Sequence, residues 1–277
     1  MYSTLITVAE LSQTIGAADL RIVDCRFDLS ALSAGRDDYR LGHIPGAVYA
    51  DVEQDLSGPP TTDHGRHPLP PPARMIEKFS HLGISNRDQV VIYDDAGGMF
   101  AARPWWMLRY LGHEAVAVLD GGWRAWVASG AAIEAGENSV EKAEFSGRER
   151  RSQLVTIDEI DNPEDLIDAR DPQRYRGEVE PLDPRAGHIP GARNHFFKDN
   201  LNSEGLFLTR PELKQAFTTT LGKLPDSTAV HYCGSGVSAC HNILAQTHAG
   251  LGQPRLYCGS WSEWCADPER PIAVGEG

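Results

Sequence analysis

The two halves of this sequence carry the same short motifs in the same order, and this repetition constrains the fold more than any other feature. Four motifs recur, and the two copies are separated each time by 138 to 145 residues. The pairs are 21–26 with 166–170, 39–47 with 185–192, 90–94 with 229–233, and 118–123 with 256–261. Chance does not preserve both order and spacing, so the repeat indicates a duplicated domain.

Each half alternates short apolar segments with longer segments of helical periodicity. The apolar segments, such as 90–92, predict strands that are buried on both faces. Helices are predicted at Ala73–Leu82, Pro104–Leu111, Pro211–Leu221 and Ala239–Ala249. This alternation predicts an α/β fold in which each of two tandem domains is a parallel sheet flanked by helices. Functional sites in such sheets lie beyond the carboxyl ends of the strands.

Two irregular segments define the expected domain organisation. We predict a first domain at 1–135, a linker at 136–153 that is rich in charged residues, Ser and Gly, and a second domain at 154–277. The other irregular segment, 58–72, interrupts the first half and is rich in Pro, Thr and His. Long irregular segments inside a domain are often functional.

Composition limits the classes of partner. Of the 277 residues, 41% are apolar, which supports a packed core, and the formal net charge is −13. An acidic chain is a poor match for nucleic acid or an anionic membrane surface. We expect neither a membrane span nor a signal peptide. The five cysteines form no Cys-x-x-Cys pair, which favours a reducing cytoplasm, and no ligand spacing indicates a metal or an organic cofactor.

One cysteine stands where a parallel sheet places its active sites. Cys233 follows the apolar segment 230–232, opens the loop Cys-Gly-Ser-Gly-Val-Ser, and precedes a predicted helix. A strand, a glycine loop and a helix in this order direct several backbone N–H groups to one point. Such a site favours a thiolate nucleophile. Many cysteines are only small buried apolar residues, but two glycines and two hydroxyls in the loop favour a functional interpretation.

Together these motifs resemble the rhodanese family, specifically its tandem-domain sulfurtransferases. The resemblance rests on Gly-His-Ile-Pro-Gly-Ala at 42–47 and 187–192, Asp-Gly-Gly-Trp at 120–123 with a partner at 258–261, and the cysteine loop. It implies two rhodanese-like domains, of which only the second is catalytic, because Asp94 occupies the position that matches Cys233. The uncharged loop looks like that of the family's 3-mercaptopyruvate sulfurtransferases, whereas thiosulfate sulfurtransferases usually carry basic loop residues.

The resemblance implies a persulfide mechanism. Cys233 would take sulfur from a small anionic donor, and the backbone amides of the loop would stabilise the terminal sulfur. These amides belong to the residues expected to bind the substrate, which are Gly234, Gly236, Val237 and Ser238. The acceptor would be a thiol, cyanide or a thioredoxin-like protein.

Arginines outside the loop are expected to hold the donor's carboxylate. By resemblance, Arg174 matches a substrate-binding arginine of the family. The second arginine does not align cleanly, and Arg185 and Arg176 are the candidates, with Arg185 preferred. A surface arginine is equally consistent with a solvated charge.

A proton donor is also implied by the resemblance. Ser235 matches a loop serine, and His67 matches a histidine of the first domain. Glu53 stands where the family has an acid that completes a catalytic triad, and Asp51 is the alternative.

Three other functions use the same nucleophile. A thiosulfate:cyanide sulfurtransferase differs only in its donor. A persulfide carrier or sensor would turn over small donors slowly and serve a protein acceptor. A cysteine-dependent phosphatase needs an arginine after the loop to bind phosphate, and residues 239–242 are Ala, Cys, His and Asn.

Overall fold

Two five-stranded parallel sheets form the protein. The structure, a computed structural model, describes residues 1–61, 64–160 and 165–276. The chain divides into a first compact unit of 1–58, 70–150 and 203–206, and a second unit made of the described residues of 59–69, 151–202 and 207 onward. Among the described residues, no helix is long and apolar enough to cross a membrane.

The first unit contains ten regular elements. Its strands are β1 (Leu5–Ile6), β2 (Leu20–Asp24), β3 (Ala47–Tyr49), β4 (Gln89–Tyr93) and β5 (Val116–Leu119). Its helices are α1 (Val8–Ser12), α2 (Ala34–Leu41), α3 (Pro72–His81), α4 (Ala102–Tyr110) and α5 (Gly122–Ala128). The strands are parallel in the order β1-β5-β4-β2-β3.

The second unit repeats this arrangement. Its strands are β6 (Leu154–Val155), β7 (Leu166–Asp168), β8 (Arg193–Asn194), β9 (Val230–Tyr232) and β10 (Arg255–Tyr257). Its α-helices are α6 (Pro172–Tyr175), α7 (Arg210–Leu221), α8 (Ser238–His248) and α9 (Ser260–Trp264), and 3-10 turns lie at Arg151–Gln153, Ile157–Glu159 and Phe197–Asn200. The strand order β6-β10-β9-β7-β8 is parallel and matches that of the first unit. The predicted α/β fold is therefore confirmed.

The four predicted helices form within two residues of their expected ends, for reasons local to the sequence. In α7, Thr209 and Glu212 form a capping box at the start of the helix, and Gly222 ends the helix in the left-handed conformation. The residues of β4 from Val90 to Tyr93 are fully buried. This burial is expected for a central strand of a parallel sheet, which is covered on both faces.

The repeated motifs have the same structural role in both units. Asp24 and Asp168 end β2 and β7, and each forms a buried ion pair of 2.7 Å with the arginine two residues later, Arg26 or Arg170. Each arginine also donates to the carbonyl of the first glycine of the Gly-His-Ile-Pro-Gly motif, at 2.6 Å in both units. The guanidinium stacks on the tryptophan of the fourth motif, 4.5 Å and 4.7 Å from the ring centre. The conserved order of motifs thus reflects one interaction network built twice.

The two irregular segments differ in which unit they join. The stretch predicted as a linker has no regular element before Arg151, and residues up to Arg150 pack with the first unit. Phe145 in this stretch is buried against Phe79, with ring centres 5.7 Å apart. The described residues of 59–69, by contrast, lie within the first half of the sequence but pack with the second unit. Sequence order alone gives no sign of that assignment.

Candidate active site

The cysteine loop begins where β9 ends and is held by helix α9. The backbone N–H of Cys233 donates to Ser260 Oγ at 3.1 Å, and the Cys233 carbonyl accepts from Trp261 N at 3.0 Å. The next carbonyl, that of Gly234, accepts from Ser262 N at 2.9 Å. Ser260 has φ of 57°, a left-handed conformation that is costly for a residue with a side chain. Backbone strain of this kind concentrates at functional sites, and here it places the Ser260 hydroxyl where it accepts the backbone N–H of the nucleophilic residue.

The thiol of Cys233 lies in the turn that leads into α8. The Gly236 N–H donates to Cys233 Sγ at 3.1 Å, and Cys233 is 2% exposed. Gly236 has φ of 77°, which glycine adopts without strain. Val237 and Ser238 are buried, and Ser238 is the first residue of α8. The sulfur therefore faces a backbone amide beside the positive end of a helix.

The equivalent loop of the first unit shows what this geometry accommodates. Asp94 follows β4, and its carboxylate accepts four backbone N–H groups at 2.7 to 2.9 Å, from Ala96, Gly98, Phe100 and Ala101. Burial nevertheless raises the pKa of Asp94, against the lowering effect of these amides. The strand-to-helix turn in this fold thus surrounds an anionic group with amides. In the first unit the protein's own side chain fills that position, while in the second unit a nucleophile does.

Ser235 and His67 form a buried hydrogen-bonded pair beside the loop. Their Oγ and Nδ1 atoms are 2.7 Å apart, and both residues are 7% exposed. His67 belongs to the 59–69 segment, which is fixed to α9: Gly65 has φ of 77°, and a Cβ there would lie 2.6 Å from Ser262 Oγ. The thiol of Cys258 also donates to the His67 carbonyl at 3.8 Å. The pairing expected from the sequence is present, although the histidine packs with the second unit rather than the first.

Arg174 lies next to the loop. It is on α6, a short helix capped by the Asp171 side chain. Its Nη2 donates to Glu180 Oε1 at 2.7 Å and to Asp183 Oδ2 at 3.2 Å. A Cβ at Gly234 would lie 3.3 Å from Arg174 Nη1. The absence of a side chain at position 234 thus allows the guanidinium to approach the loop.

The other two candidate arginines have different surroundings. Arg185 donates to the carbonyls of Asp267 and Arg270, at 2.9 and 3.3 Å. Arg176 pairs with Glu178 at 2.7 Å. Arg185 therefore anchors the turn that contains Asp267 and Arg270, and a role for it in substrate binding stays a prediction.

The candidate acids belong to the first unit. Asp51 is buried, and its carboxylate accepts the backbone N–H groups of Glu53 and Gln54, both at 2.9 Å. The Glu53 residue is exposed. Asp51 therefore has a clear local structural role, and an acid function for Glu53 stays a prediction.

One residue was missed by the sequence analysis. Arg66 immediately precedes His67, and its guanidinium pairs with Asp183. A Cβ at Gly234 would lie 2.9 Å from Arg66 Nη2. The only available signal was its adjacency to His67, because its ion-pair partner is distant in the sequence.

Cys240 faces the interior of the second unit. It is fully buried on α8, and its thiol donates to the Gly236 carbonyl at 3.3 Å. None of the five cysteines, all of which lie in the described part of the chain, forms a disulfide.

Comparisons with known proteins agree with the geometry. The profile of the rhodanese-like domain matches residues 7–129 and 153–267. A probable 3-mercaptopyruvate sulfurtransferase of Pseudomonas aeruginosa is 48% identical, and the alignment covers 98% of each chain. A putative thiosulfate sulfurtransferase of Mycobacterium tuberculosis is 39% identical over 98% of this chain and 97% of that one. The solved structure of the 3-mercaptopyruvate sulfurtransferase from Leishmania major superposes with a TM-score of 0.85 at 35% identity, covering 95% of this chain and 74% of that one.

Proposed function

We propose that this chain, which belongs to the rhodanese family, transfers sulfane sulfur from 3-mercaptopyruvate to a thiophilic acceptor through a persulfide on Cys233. The observation that carries the proposal is the position of Cys233, whose Sγ lies 3.1 Å from the Gly236 amide nitrogen and which precedes Ser235 of the Ser235–His67 pair by two residues. A nucleophile, an anion-stabilising amide and a proton donor are then adjacent in the second unit.

The first half-reaction forms the persulfide. The Cys233 thiolate attacks the sulfur of 3-mercaptopyruvate, so that a sulfur–sulfur bond forms and the carbon–sulfur bond breaks. The electron pair of the broken bond stays on carbon, and pyruvate leaves as its enolate. The Gly236 amide, with the neighbouring loop amides of Gly234, Val237 and Ser238, stabilises the negative charge on the persulfide.

The enolate requires a proton at carbon, and the Ser235–His67 pair supplies it. The Ser235 hydroxyl gives its proton to the enolate carbon, and His67 returns a proton to the serine oxygen across the 2.7 Å hydrogen bond. Proton transfer by positioned side chains contributes about 10²- to 10⁴-fold to rates. We propose Glu53 as the acid that supports His67, and a Glu53→Gln variant with unchanged turnover would refute that role.

Arg174 binds the carboxylate of the donor. Its guanidinium is next to Gly234, and Glu180 fixes its orientation through contacts of 2.7 and 3.2 Å. A planar guanidinium binds a carboxylate in a bidentate manner, which orients the sulfur toward Cys233.

The second half-reaction returns the enzyme to its starting state. A thiolate, cyanide or a thioredoxin-like protein attacks the outer sulfur, and the electron pair of the sulfur–sulfur bond returns to Cys233 Sγ as a thiolate. A reducing cytoplasm suits this cycle, because the nucleophile must not be lost to a disulfide.

A thiosulfate donor is the second candidate, because relatives of this chain carry both names. The deciding experiment measures kcat/KM for 3-mercaptopyruvate and thiosulfate on one purified sample. We expect a preference for 3-mercaptopyruvate of at least tenfold. A preference for thiosulfate would overturn the proposed donor, and slow turnover of both would favour a persulfide carrier.

The matched control for the nucleophile is another buried cysteine. Cys233→Ser should abolish turnover of both donors. Cys25→Ser should leave it unchanged, because burial raises the pKa of the Cys25 thiol well above its usual value and keeps it protonated.

A further inference from the structure

Helix α8 packs within the second unit through a buried polar layer that the proposed mechanism does not use. Each member of this layer is a histidine or a side-chain amide, and none is more than 4% exposed. We call the layer the histidine–amide network, and its members are His195, Asn200, His231, His241, Asn242 and Gln246. Three of them lie on α8, the helix that directly follows the cysteine loop. The helix that supports the loop is therefore fixed through polar and titratable groups.

The hydrogen bonds of the two asparagines determine where the protons lie. Asn242 Nδ2 donates to the His195 carbonyl at 2.8 Å, so Asn242 Oδ1 is the acceptor for Asn200 Nδ2 at 2.7 Å. Asn200 Oδ1 then accepts from His195 Nε2 at 2.9 Å. Asn200 Nδ2 also donates to His241 Nδ1 at 3.2 Å. Because an amide nitrogen only donates, His241 Nδ1 carries no proton in this arrangement.

His231 of β9 is fixed in the same way by Gln246. Gln246 Nε2 donates to the carbonyls of Asp226 and Leu251, at 2.8 and 3.3 Å. Gln246 Oε1 therefore accepts from His231 Nε2 at 2.8 Å. The other ring nitrogen, His231 Nδ1, is buried and has no hydrogen-bond partner among the described residues. The geometry thus holds His231 in its neutral form.

A second proton on either ring is incompatible with the network. On His241 it would place an N–H against the amide N–H of Asn200, and on His231 it would leave a buried N–H without an acceptor. Phe217 of α7 packs against both His195 and His231, with ring centres 4.3 and 6.1 Å away, and supplies no acceptor. Burying an unpaired charge is costly. Burial accordingly lowers the pKa of His231 to about 3 and also lowers the pKa of His195.

The charged groups around the network do not offset this cost. Asp199 attracts a proton on His195, but its effect on that pKa is smaller than the effect of burial. Burial, with a smaller contribution from Arg210, lowers the pKa of His248 at the end of α8 to about 4. The tyrosines of β9 and β10 are neutral, because burial raises their pKa. The other charged side chains on the elements that pack against α8 are Lys198, Glu212, Lys214 and Arg255.

The first unit fills the equivalent layer with apolar side chains. Ile92 of β4 matches His231 in the internal repeat. The helix that follows β4 is α4, and its fully buried apolar residues include Trp105, Trp106, Met107 and Leu108. Arg103 and Arg109 of α4 are also buried, but arginine keeps its charge in mild acid. The two copies of the domain should therefore differ in their response to acid.

We propose that the histidine–amide network is an acid switch of the catalytic unit: proton uptake by its histidines detaches α8 from β9 and from residues 195–200, and the amides of the cysteine loop lose their position beside Cys233. Each histidine that is neutral when packed and protonated when released makes release about tenfold more favourable per pH unit below about 6.5. The network residues are thus positioning residues for the loop. Only the kinetic readout of this inference rests on the proposed function.

Release of α8 is measured through the thiol of Cys240, with Cys25 of the first unit as the matched control. Both residues are fully buried. The full chain is treated with 4,4′-dithiodipyridine, a reagent that reacts with thiols even in acid, and labelled peptides are quantified by mass spectrometry. Rates are divided by those of the urea-unfolded chain at the same pH. We expect labelling of Cys240 to increase at least about tenfold per pH unit below about pH 6.5, and labelling of Cys25 to increase less steeply.

His231→Gln removes one titrating group, because glutamine can donate to Gln246 but takes up no proton. The matched variant is His113→Gln, since His113 is a buried histidine of the first unit whose pKa is also lowered by burial. We expect His231→Gln to reduce the increase in Cys240 labelling by about tenfold per pH unit, and His113→Gln to leave it unchanged. Turnover of 3-mercaptopyruvate should fall reversibly at the pH where Cys240 becomes reactive.

The wild-type comparison of the two thiols decides the matter even if a variant does not fold. Equal pH dependence at Cys240 and Cys25, or an unchanged dependence in folded His231→Gln, would overturn the switch and leave the proposed function intact. Reversible loss of turnover in acid without labelling of Cys240 would also overturn it, because protonation of Cys233 would then explain the loss. Failure of the wild-type enzyme to use 3-mercaptopyruvate would overturn the proposed function, and the labelling would still test the switch.

Discussion

Replacing Ser235 by Ala and His67 by Gln, singly and together, tests whether the two side chains act as one proton-transfer unit. Their 2.7 Å hydrogen bond connects two groups that are each 7% exposed. If the pair protonates the leaving enolate, each single variant should lose about 10²- to 10⁴-fold in kcat/KM for 3-mercaptopyruvate. That loss corresponds to about 3 to 5 kcal/mol of transition-state stabilisation. The double variant should lose little more than either single variant, because residues that act as a unit are not additive.

Stability must be measured on the same four proteins. Ser235→Ala leaves His67 Nδ1 without its serine partner, and a buried polar group that loses a hydrogen bond costs about 1–3 kcal/mol. Urea unfolding should therefore give a coupling of about 0.5–3 kcal/mol between the two sites. A loss of stability in that range leaves the folded population intact at 25 °C, so the kinetic losses are not caused by unfolding.

Thiosulfate is the internal control for this experiment. Its leaving group is sulfite, which departs with the electron pair on sulfur and needs no proton at carbon. All four proteins should therefore use thiosulfate at similar rates. Multiplicative losses in the double variant, or equal losses with both donors, would refute the proton-transfer role of the Ser235–His67 pair.

Three further predictions follow from the geometry. Gly65→Ala should lower the free energy of unfolding by at least about 2 kcal/mol in urea titrations and should reduce turnover. The reason is that φ at Gly65 is 77° and the new Cβ would lie 2.6 Å from Ser262 Oγ. Unchanged stability would contradict the close packing around Gly65. Gly234→Ala should raise KM for 3-mercaptopyruvate more than it slows persulfide loading of Cys233 by inorganic polysulfide, which has no carboxylate, because the new methyl group would crowd the guanidinium of Arg174. Equal effects on both reactions would count against that explanation. Burial lowers the pKa of His231 from 6.5 to about 3. Between these pH values the unfolded chain therefore binds a proton at this histidine that the folded chain does not. The free energy of unfolding should be unaffected by this group above pH 6.5 and should fall by about 1.4 kcal/mol per pH unit between pH 6.5 and pH 3. Urea titrations at several pH values should show a weaker acid dependence for His231→Gln, and an unchanged dependence would refute this cause.

The duplicated sheets could be predicted from the sequence because their determinants are local. Buried strands such as β4 are continuous apolar runs, and helix α7 has its capping box and its terminal glycine within the same short segment. The repeated motifs could be recognised in the sequence for the same reason, because each Asp–Arg pair is formed by residues two positions apart.

The ion pairs beside the cysteine loop could not be predicted, because their partners are distant in the sequence. The pairing of Arg66 with Asp183 joins residues that are 117 positions apart, and the 59–69 segment packs with the second unit although it interrupts the first half. Periodicity carries no information about such pairings. Arg185 was a candidate for substrate binding by resemblance, and nothing in the sequence indicated that its guanidinium donates to the carbonyls of Asp267 and Arg270.

The interpretation of the uncharged loop also changes with the structure. The sequence indicated that a loop without cations would disfavour thiosulfate. In the structure the loop is bordered by two guanidiniums that approach at Gly234. The positive charge beside the loop is therefore supplied from outside it, by Arg66 and Arg174.

The central claim is that Cys233 carries sulfur taken from 3-mercaptopyruvate, and a single-turnover experiment tests it most directly. The enzyme is mixed with 3-mercaptopyruvate in the absence of any acceptor, pyruvate is quantified, and the peptides are analysed by mass spectrometry. We predict one pyruvate per enzyme and the added mass of one sulfur atom on the peptide that contains Cys233, with both absent in Cys233→Ser. Pyruvate release without sulfur on Cys233, or sulfur on another cysteine, would contradict the account.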